Sequence, residues 1–164
     1  MRKFTVFTIA DEIFGITIER VVEIIRVQKV FSIPGMPEFL SGVMSVRGTV
    51  IPLIDLRRRF GTKPAGKKER IIIVRFDKEK IGFLVDGIRE ILALSPQEIT
   101  NPPSLFKGFR TEFITGLGKK DDTIIILLDI DNLLTSAEKI QLKESVDMLE
   151  TRKEIGRTED IVKP

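Results

Sequence analysis

Gly42-Val43-Met44-Ser45-Val46-Arg47-Gly48-Thr49-Val50-Ile51-Pro52-Leu53-Ile54-Asp55-Leu56 is the run from which the fold is read. Two apolar, β-branched stretches flank Arg47-Gly48, the composition of two strands joined by a tight turn in which Gly48 takes a positive φ. Pro52 lacks the N–H that a central strand donates, so its strand is expected at a sheet edge or a bulge. Asp55 stands where it caps a following helical turn. The tip presents one guanidinium, that of Arg47, as a rigid fork of donors.

Working outward, the same grammar recurs. Residues 4–9 and 13–18 read as a hairpin around Asp11-Glu12, residues 71–76 and 80–85 as one around Asp77-Lys78, and residues 114–118 and 123–128 as one around 119–122. Residues 21–27 are β-branched and read as a strand preceded by a helical turn over 19–22. Displaced by 67 positions, residues 4–25 lie on 71–92 without a gap: Gly15 meets Gly82, Glu19 meets Asp86, Glu23 meets Glu90 and Ile24 meets Ile91. Displaced by 74, residues 39–56 lie on 113–130: Gly42 meets Gly116, Thr49 meets Thr123 and Asp55 meets Asp129. Chance alternation aligns apolar positions, but it less often aligns glycines, a threonine and aspartates as well.

The expected fold is therefore mainly β. It is a single domain over 1–140 made of two intertwined five-stranded barrels, about 1–66 and 67–135, because closure leaves short strands without free edges. Gly42, Gly48, Pro52, Asp55, Gly82, Asp86, Gly116 and Asp129 are read as its structural positions. Lys120-Asp121 takes the place of Arg47-Gly48 in the second half, so whatever Arg47 does belongs to one half only. A C-terminal helix and polar tail over 136–164 follow. Thr135 and Glu138 have capping-box spacing, and Leu142, Val146 and Leu149 make a helical stripe. Beyond Arg152 the chain is polar and is expected to fray.

Composition excludes more than it assigns. The 164 residues are 42% hydrophobic and 31% charged, enough apolar mass for a core. There is no His, Cys, Trp or Tyr. Imidazole bases, Ser-His-Asp triads, thiolate nucleophiles, disulfides and thiolate metal sites are all excluded. No cofactor or metal motif is expected: the Gly116-Leu117-Gly118 and Asp121-Asp122 segments lack phosphate-loop and EF-hand spacing. The N-terminus is too mixed for a signal peptide and no apolar run is long enough to span a bilayer, so the expected compartment is the cytoplasm.

Seven positive charges fall between Arg57 and Arg70, the one feature open to a nucleic-acid reading. Stacking aromatics are almost absent there, which favours a solvated linker. Phe106 and Phe109 are read as a tucked loop or a protein-binding anchor. Asp86 and Asp129 are the carboxylates on which an enzyme would have to rely.

The run 42–57, preceded by Ile33-Pro34-Gly35-Met36-Pro37-Glu38-Phe39-Leu40-Ser41 and followed by Gly82-Phe83-Leu84-Val85-Asp86, resembles the CheW-like family of bacterial chemotaxis coupling domains over about residues 3–140. Ser45-Val46 departs from the Asn-Leu more usual there. The resemblance implies two SH3-like barrels and no catalytic activity. It implies an adaptor that couples the cytoplasmic tips of methyl-accepting chemoreceptors to the regulatory domain of the histidine kinase CheA, at arrays on the inner face of the cytoplasmic membrane. Neither nucleic acid nor direct membrane insertion is expected. It places a receptor-helix groove on Ile18, Val21 and Ile24, with Arg47 as the coupling arginine, and part of the kinase contact on Ile33 and Met36. Bottom-up, Val21 and Ile24 suit an exposed strip or the inter-barrel core equally, whereas Val22 and Ile25 are expected in the core. A paralogue serving twitching, gliding or second-messenger signalling would share these features.

Overall fold

The computed structural model describes residues 1–65, 68–101 and 111–162. Among these, eleven strands run in the order β1 (Arg2–Ile9), β2 (Glu12–Thr17), β3 (Val21–Arg26), β4 (Gly42–Val46), β5 (Thr49–Asp55), β6 (Arg70–Phe76), β7 (Glu79–Val85), β8 (Gly87–Leu94), β9 (Ile99–Thr100), β10 (Ile114–Lys120) and β11 (Thr123–Leu128). A short helix α1 (Leu56–Arg59) follows β5, and a long one, α2 (Ser136–Val162), closes the chain.

The strands form two sheets, β8-β1-β2-β11-β10-β9 and β3-β6-β7-β5-β4. The first gains a sixth strand, the two-residue β9, over the five expected. The sheets do not divide near residue 66. Hairpin β1–β2 sits among strands from the second half of the chain, and hairpin β6–β7 among strands from the first half. The two repeats have exchanged their leading hairpins.

The registers are equivalent across the duplication. β5 runs parallel to β7 with Leu53 opposite Gly82, and β11 runs parallel to β2 with Leu127 opposite Gly15. These are the same pair displaced by 74 and 67. The repeated glycine has a local cause. A Cβ on Gly82 would stand 2.8 Å from Met44 Cε, 2.9 Å from Ile71 and 3.2 Å from Leu53, and one on Gly15 would stand 3.1 Å from Leu127. Gly42 and Gly116 answer a different demand, the close approach of a neighbouring backbone. Their Cβ atoms would fall 2.7 Å from the Phe31 oxygen and 2.8 Å from the Thr100 oxygen. Phe31 bridges Val43 as Thr100 pairs with Leu117, the same contact in each repeat.

Pro52 lies in an interior strand, not at an edge or bulge. Val43, opposite it, directs its N–H and C=O to Phe31 and therefore away from β5. The Pro52 nitrogen points to the other side, where pairing with β7 begins only at Leu53. No ladder bond is lost.

Each sheet has a small core of its own: Met44, Val46, Ile51, Leu53, Ile71 and Ile73 in one, Phe4, Leu94, Ile125 and Leu127 in the other. The larger core is shared. It joins Phe7, Phe14 and Ile16 to Ile72, Val74 and Phe83, and continues through Leu128 and Ile130 to Leu142 and Val146 of α2. A stacked row, Phe7, Phe14, Phe60 and Phe113, runs through it with centroids 6.0, 5.4 and 5.1 Å apart. The seam between subdomains is thus filled.

Helix α2 opens with the expected capping box: the Glu138 N–H donates to Thr135 Oγ1 at 3.1 Å and the Thr135 N–H to Glu138 Oε1 at 2.8 Å. Its apolar stripe is buried. The helix does not fray at Arg152 but runs on to Val162, through a stretch rich in the helix formers Lys, Arg and Glu.

Candidate functional site

Strand β3 is an edge of its sheet, and its burial alternates. Val21 is half-buried against the shared core and Ile25 against the core of its own sheet. Val22 and Ile24 are exposed, at 37% and 39%. The expectation that Val22 is core is therefore corrected. A bulge between Val21 and Glu23 breaks the register with β6, and the residue it carries turns outward. Ile18 is half-buried in the 3-10 turn Ile18–Arg20 that leads the chain from one sheet to the other.

Arg47 and Gly48 take φ of +48° and +81°, a primed hairpin turn. The equivalent turn in the second repeat is Asp121-Asp122, with Lys120 paired to Thr123 as Val46 is to Thr49. It begins one position later than the Lys120-Asp121 reading. Arg47 does not point into solvent alone: its Nη2 donates to Glu23 Oε2. Because β3 and β4 are opposite edges of the sheet and Arg47 directly follows β4, this ion pair links the two edges. Glu23 Oε1 is shielded from solvent and has no hydrogen-bond partner among the described residues.

Ile18, Val21, Ile24 and Arg47 thus gather around one edge. Ile33 and Met36 do not join them. They lie on the loop between β3 and β4, half-buried, in a cleft of about 440 Å³ with Pro37, Leu40 and Arg58. Three residues that sequence reasoning passed over extend the exposed apolar surface past β3: Val27, Val30 and Phe31, 37–46% exposed, with Lys29 Nζ 5.0 Å from the Phe31 ring. The signal was six apolar side chains within residues 22–31, more than one face of a strand can bury.

The basic run behaves quite differently from a solvated linker. Arg57 is 3% exposed. Its guanidinium donates to Asp55 (2.8 and 3.2 Å) and Asp86 (2.9 Å) and pairs with Glu69 (2.7 Å). Burial works against its charge, and the three carboxylates more than offset this, so its pKa stands above the ordinary value. Arg59 makes a two-bond contact with Glu138, 2.6 Å each, tying α1 to α2. Arg70 donates to backbone carbonyls. Two of the seven charges, Arg57 and Arg59, are neutralised by carboxylates within the fold, while Arg58, Lys63 and Lys68 stay exposed; Lys67, Phe106 and Phe109 lie outside the described residues.

The carboxylates singled out for chemistry have structural work. Asp55 accepts from the Arg57 N–H at 3.0 Å and Asp129 from the Asp131 N–H at 3.2 Å, the expected caps. Asp86 is 3% exposed and accepts from the Ala10 N–H at 2.7 Å as well as from Arg57. Among the described residues no group of three or more His, Cys, Asp or Glu side chains is placed to hold a metal ion, and no helix is long and apolar enough to cross a membrane.

The profile of the CheW-like domain matches residues 3–138. The chemotaxis protein CheW of Klebsiella aerogenes is 35% identical over 139 residues, covering 84% of each chain. That of Treponema pallidum is 31% identical over 138 residues, 80% of this chain and 81% of the relative. The scaffolding protein TtCheW from Thermoanaerobacter tengcongensis superposes with a TM-score of 0.73 at 36% identity, covering 80% of this chain and 91% of that one. With its sheets, its repeated registers and these relatives in agreement, the chain belongs to the CheW-like domain family, the scaffolding adaptors of chemotaxis.

Proposed function

We propose that this adaptor works without catalysis, by holding two partners at once: the helical cytoplasmic tip of a chemoreceptor and the regulatory domain of the histidine kinase CheA. The observation that carries the receptor half is the β3 edge. Ile24 and Val22 stand exposed beside half-buried Val21 and Ile18, around a Glu23 carboxylate with one oxygen filled by Arg47 and the other shielded and unfilled. An apolar strip of this kind accepts the apolar face of a helix. Arg47 holds the Glu23 side chain at the same edge. The kinase half rests on the separate cleft at Ile33 and Met36.

The place of action is then the cytoplasmic face of receptor arrays, where several weak contacts add through effective concentration. Pull-down against a receptor-tip fragment and the kinase regulatory domain, separately and together, tests the reading. Capture of both, with Ile24→Glu losing the receptor fragment and keeping the kinase domain, supports it; capture of neither overturns it.

A further inference from the structure

Helix α2 lies almost wholly beyond the residues matched by the family profile, which end at 138. Its first turns nonetheless build a surface. Lys139, Ile140, Leu142 and Lys143 form one wall of a cleft of about 500 Å³, and the β6–β7 turn, Phe76 to Glu79, forms the other. Phe76 and Leu142 are buried, at 6% and 2%, and floor the cleft. Ile140 stands 62% exposed at its rim, on a helix whose other apolar residues at 142, 146 and 149 are all buried.

The cleft adjoins the receptor edge. Asp131, which lines it, accepts two bonds from Arg20 at 2.8 and 3.0 Å. Arg20 also donates twice to the Arg75 carbonyl, at 2.8 and 3.0 Å. Arg20 is the last residue of the 3-10 turn that begins at Ile18, and Val21 follows it. The line Ile18, Val21, Arg20–Asp131, Ile140 therefore continues one surface from β3 onto α2. Lys139 and Lys143, one helical turn apart, edge the α2 wall and face Asp77, Lys78 and Glu79 of the turn, while the Asp131 carboxylate is held by Arg20 and also feels the Lys139 charge.

We infer that α2 extends the receptor-docking surface, with Ile140 as an apolar contact and Lys139 and Lys143 as the pair that meets acidic side chains on the docked receptor helix. The inference rests on the receptor reading of the β3 edge and adds to it a second stretch of the same helix partner. An exposed isoleucine in a desolvated contact is the kind of anchor whose loss is felt, and rim lysines act through attraction that salt screens.

The test is titration of the full chain with a receptor-tip fragment at low and at physiological salt. Four proteins are compared: the native chain, Ile24→Glu, Ile140→Ser and the double variant Lys139→Gln/Lys143→Gln. Ile140 and Lys143 are exposed and Lys139 is half-buried, and none of the three belongs to a core cluster, so each variant should keep the native far-UV circular dichroism spectrum and kinase-domain capture. The expected result is about fivefold or more weaker binding for Ile140→Ser. For the lysine variant a reduced salt dependence is expected. Loss with Ile24→Glu but native binding and native salt dependence in both α2 variants overturns the inference and leaves the β3 reading intact. Native binding in Ile24→Glu overturns the reading on which it rests.

Discussion

Removal of the Asp86 carboxylate is the sharpest perturbation of this fold. Asp86 occupies the position that Glu19 occupies in the first repeat, at the crossover between sheets. The duplication alone would rank the two equally; the structure does not. Glu19 is exposed, and Asp86 is buried. Asp86→Ala takes the 2.9 Å partner from Arg57 and the acceptors from the Ala10 and Ala65 N–H groups, at 2.7 and 3.1 Å. Breaking a buried pair costs about 3–5 kcal/mol. Asp55 and Glu69 stay on Arg57 and keep its charge compensated, which puts the expectation near the lower end, about 3 kcal/mol, or a fall in Tm of about 6–12 °C for a domain of this size. Glu19→Ala should cost no more than about 0.5 kcal/mol. With neither Trp nor Tyr in the chain, the assay is urea unfolding followed by far-UV circular dichroism. Two variants within about 1 kcal/mol of each other would refute the argument that Arg57 and Asp86 form a buried hub.

Other expectations are equally direct. Ile24→Glu should leave stability within about 1 kcal/mol while Val21→Glu, packed on the shared core, should cost clearly more; equal midpoints in urea would place Val21 outside the core. Gly82→Ala should destabilise by about 1–3 kcal/mol, because its Cβ would press on Met44, Ile71 and Leu53, and a neutral outcome in the same assay would deny that close approach. For Glu138, burial pushes its pKa up, but Arg59 and the Thr135 N–H outweigh that and hold it below its ordinary value of 4.5. A depressed carboxylate stabilises the fold above its unfolded pKa, and that contribution disappears as pH falls through the folded value. Glu138→Gln should therefore lower Tm near pH 7 and show a smaller fall in Tm below pH 4.5 than the native chain, followed by calorimetry.

The local grammar of this fold was legible because it is written in short-range residue pairs. Turn residues at 47–48 and 77–78, the aspartate caps at 55 and 129, and the Thr135–Glu138 box each act within a few positions of the chain. The duplication was legible because Gly15 and Gly82 answer the same crowding by Leu127 and Leu53. The hairpin exchange was not legible, for a reason of symmetry. β1–β2 and β6–β7 carry the same pattern, so either fits either sheet, and nothing in an alternating sequence says which partner it takes. Arg57 was read with its charged neighbours because its two long-range carboxylates, Glu69 and Asp86, lie 12 and 29 positions away. At the candidate site the edge strand was legible and the facing of its side chains was not, since an unbroken alternation over a run apolar on both faces does not say which face meets the core.

The exchanged hairpins also dictate how the chain comes together in time. β1 and β2 are made first, yet their partners β8 and β11 lie about 80 to 110 positions downstream. β3 in turn finds its neighbour only when β6 exists. Neither sheet is built from one repeat alone: one is complete only at Val85 and the other only at Leu128, and the long loops closed this way slow folding. The same stitching governs mechanics. A load on the β3 edge falls on strands that belong to both halves, and the apolar core they share joins the two sheets.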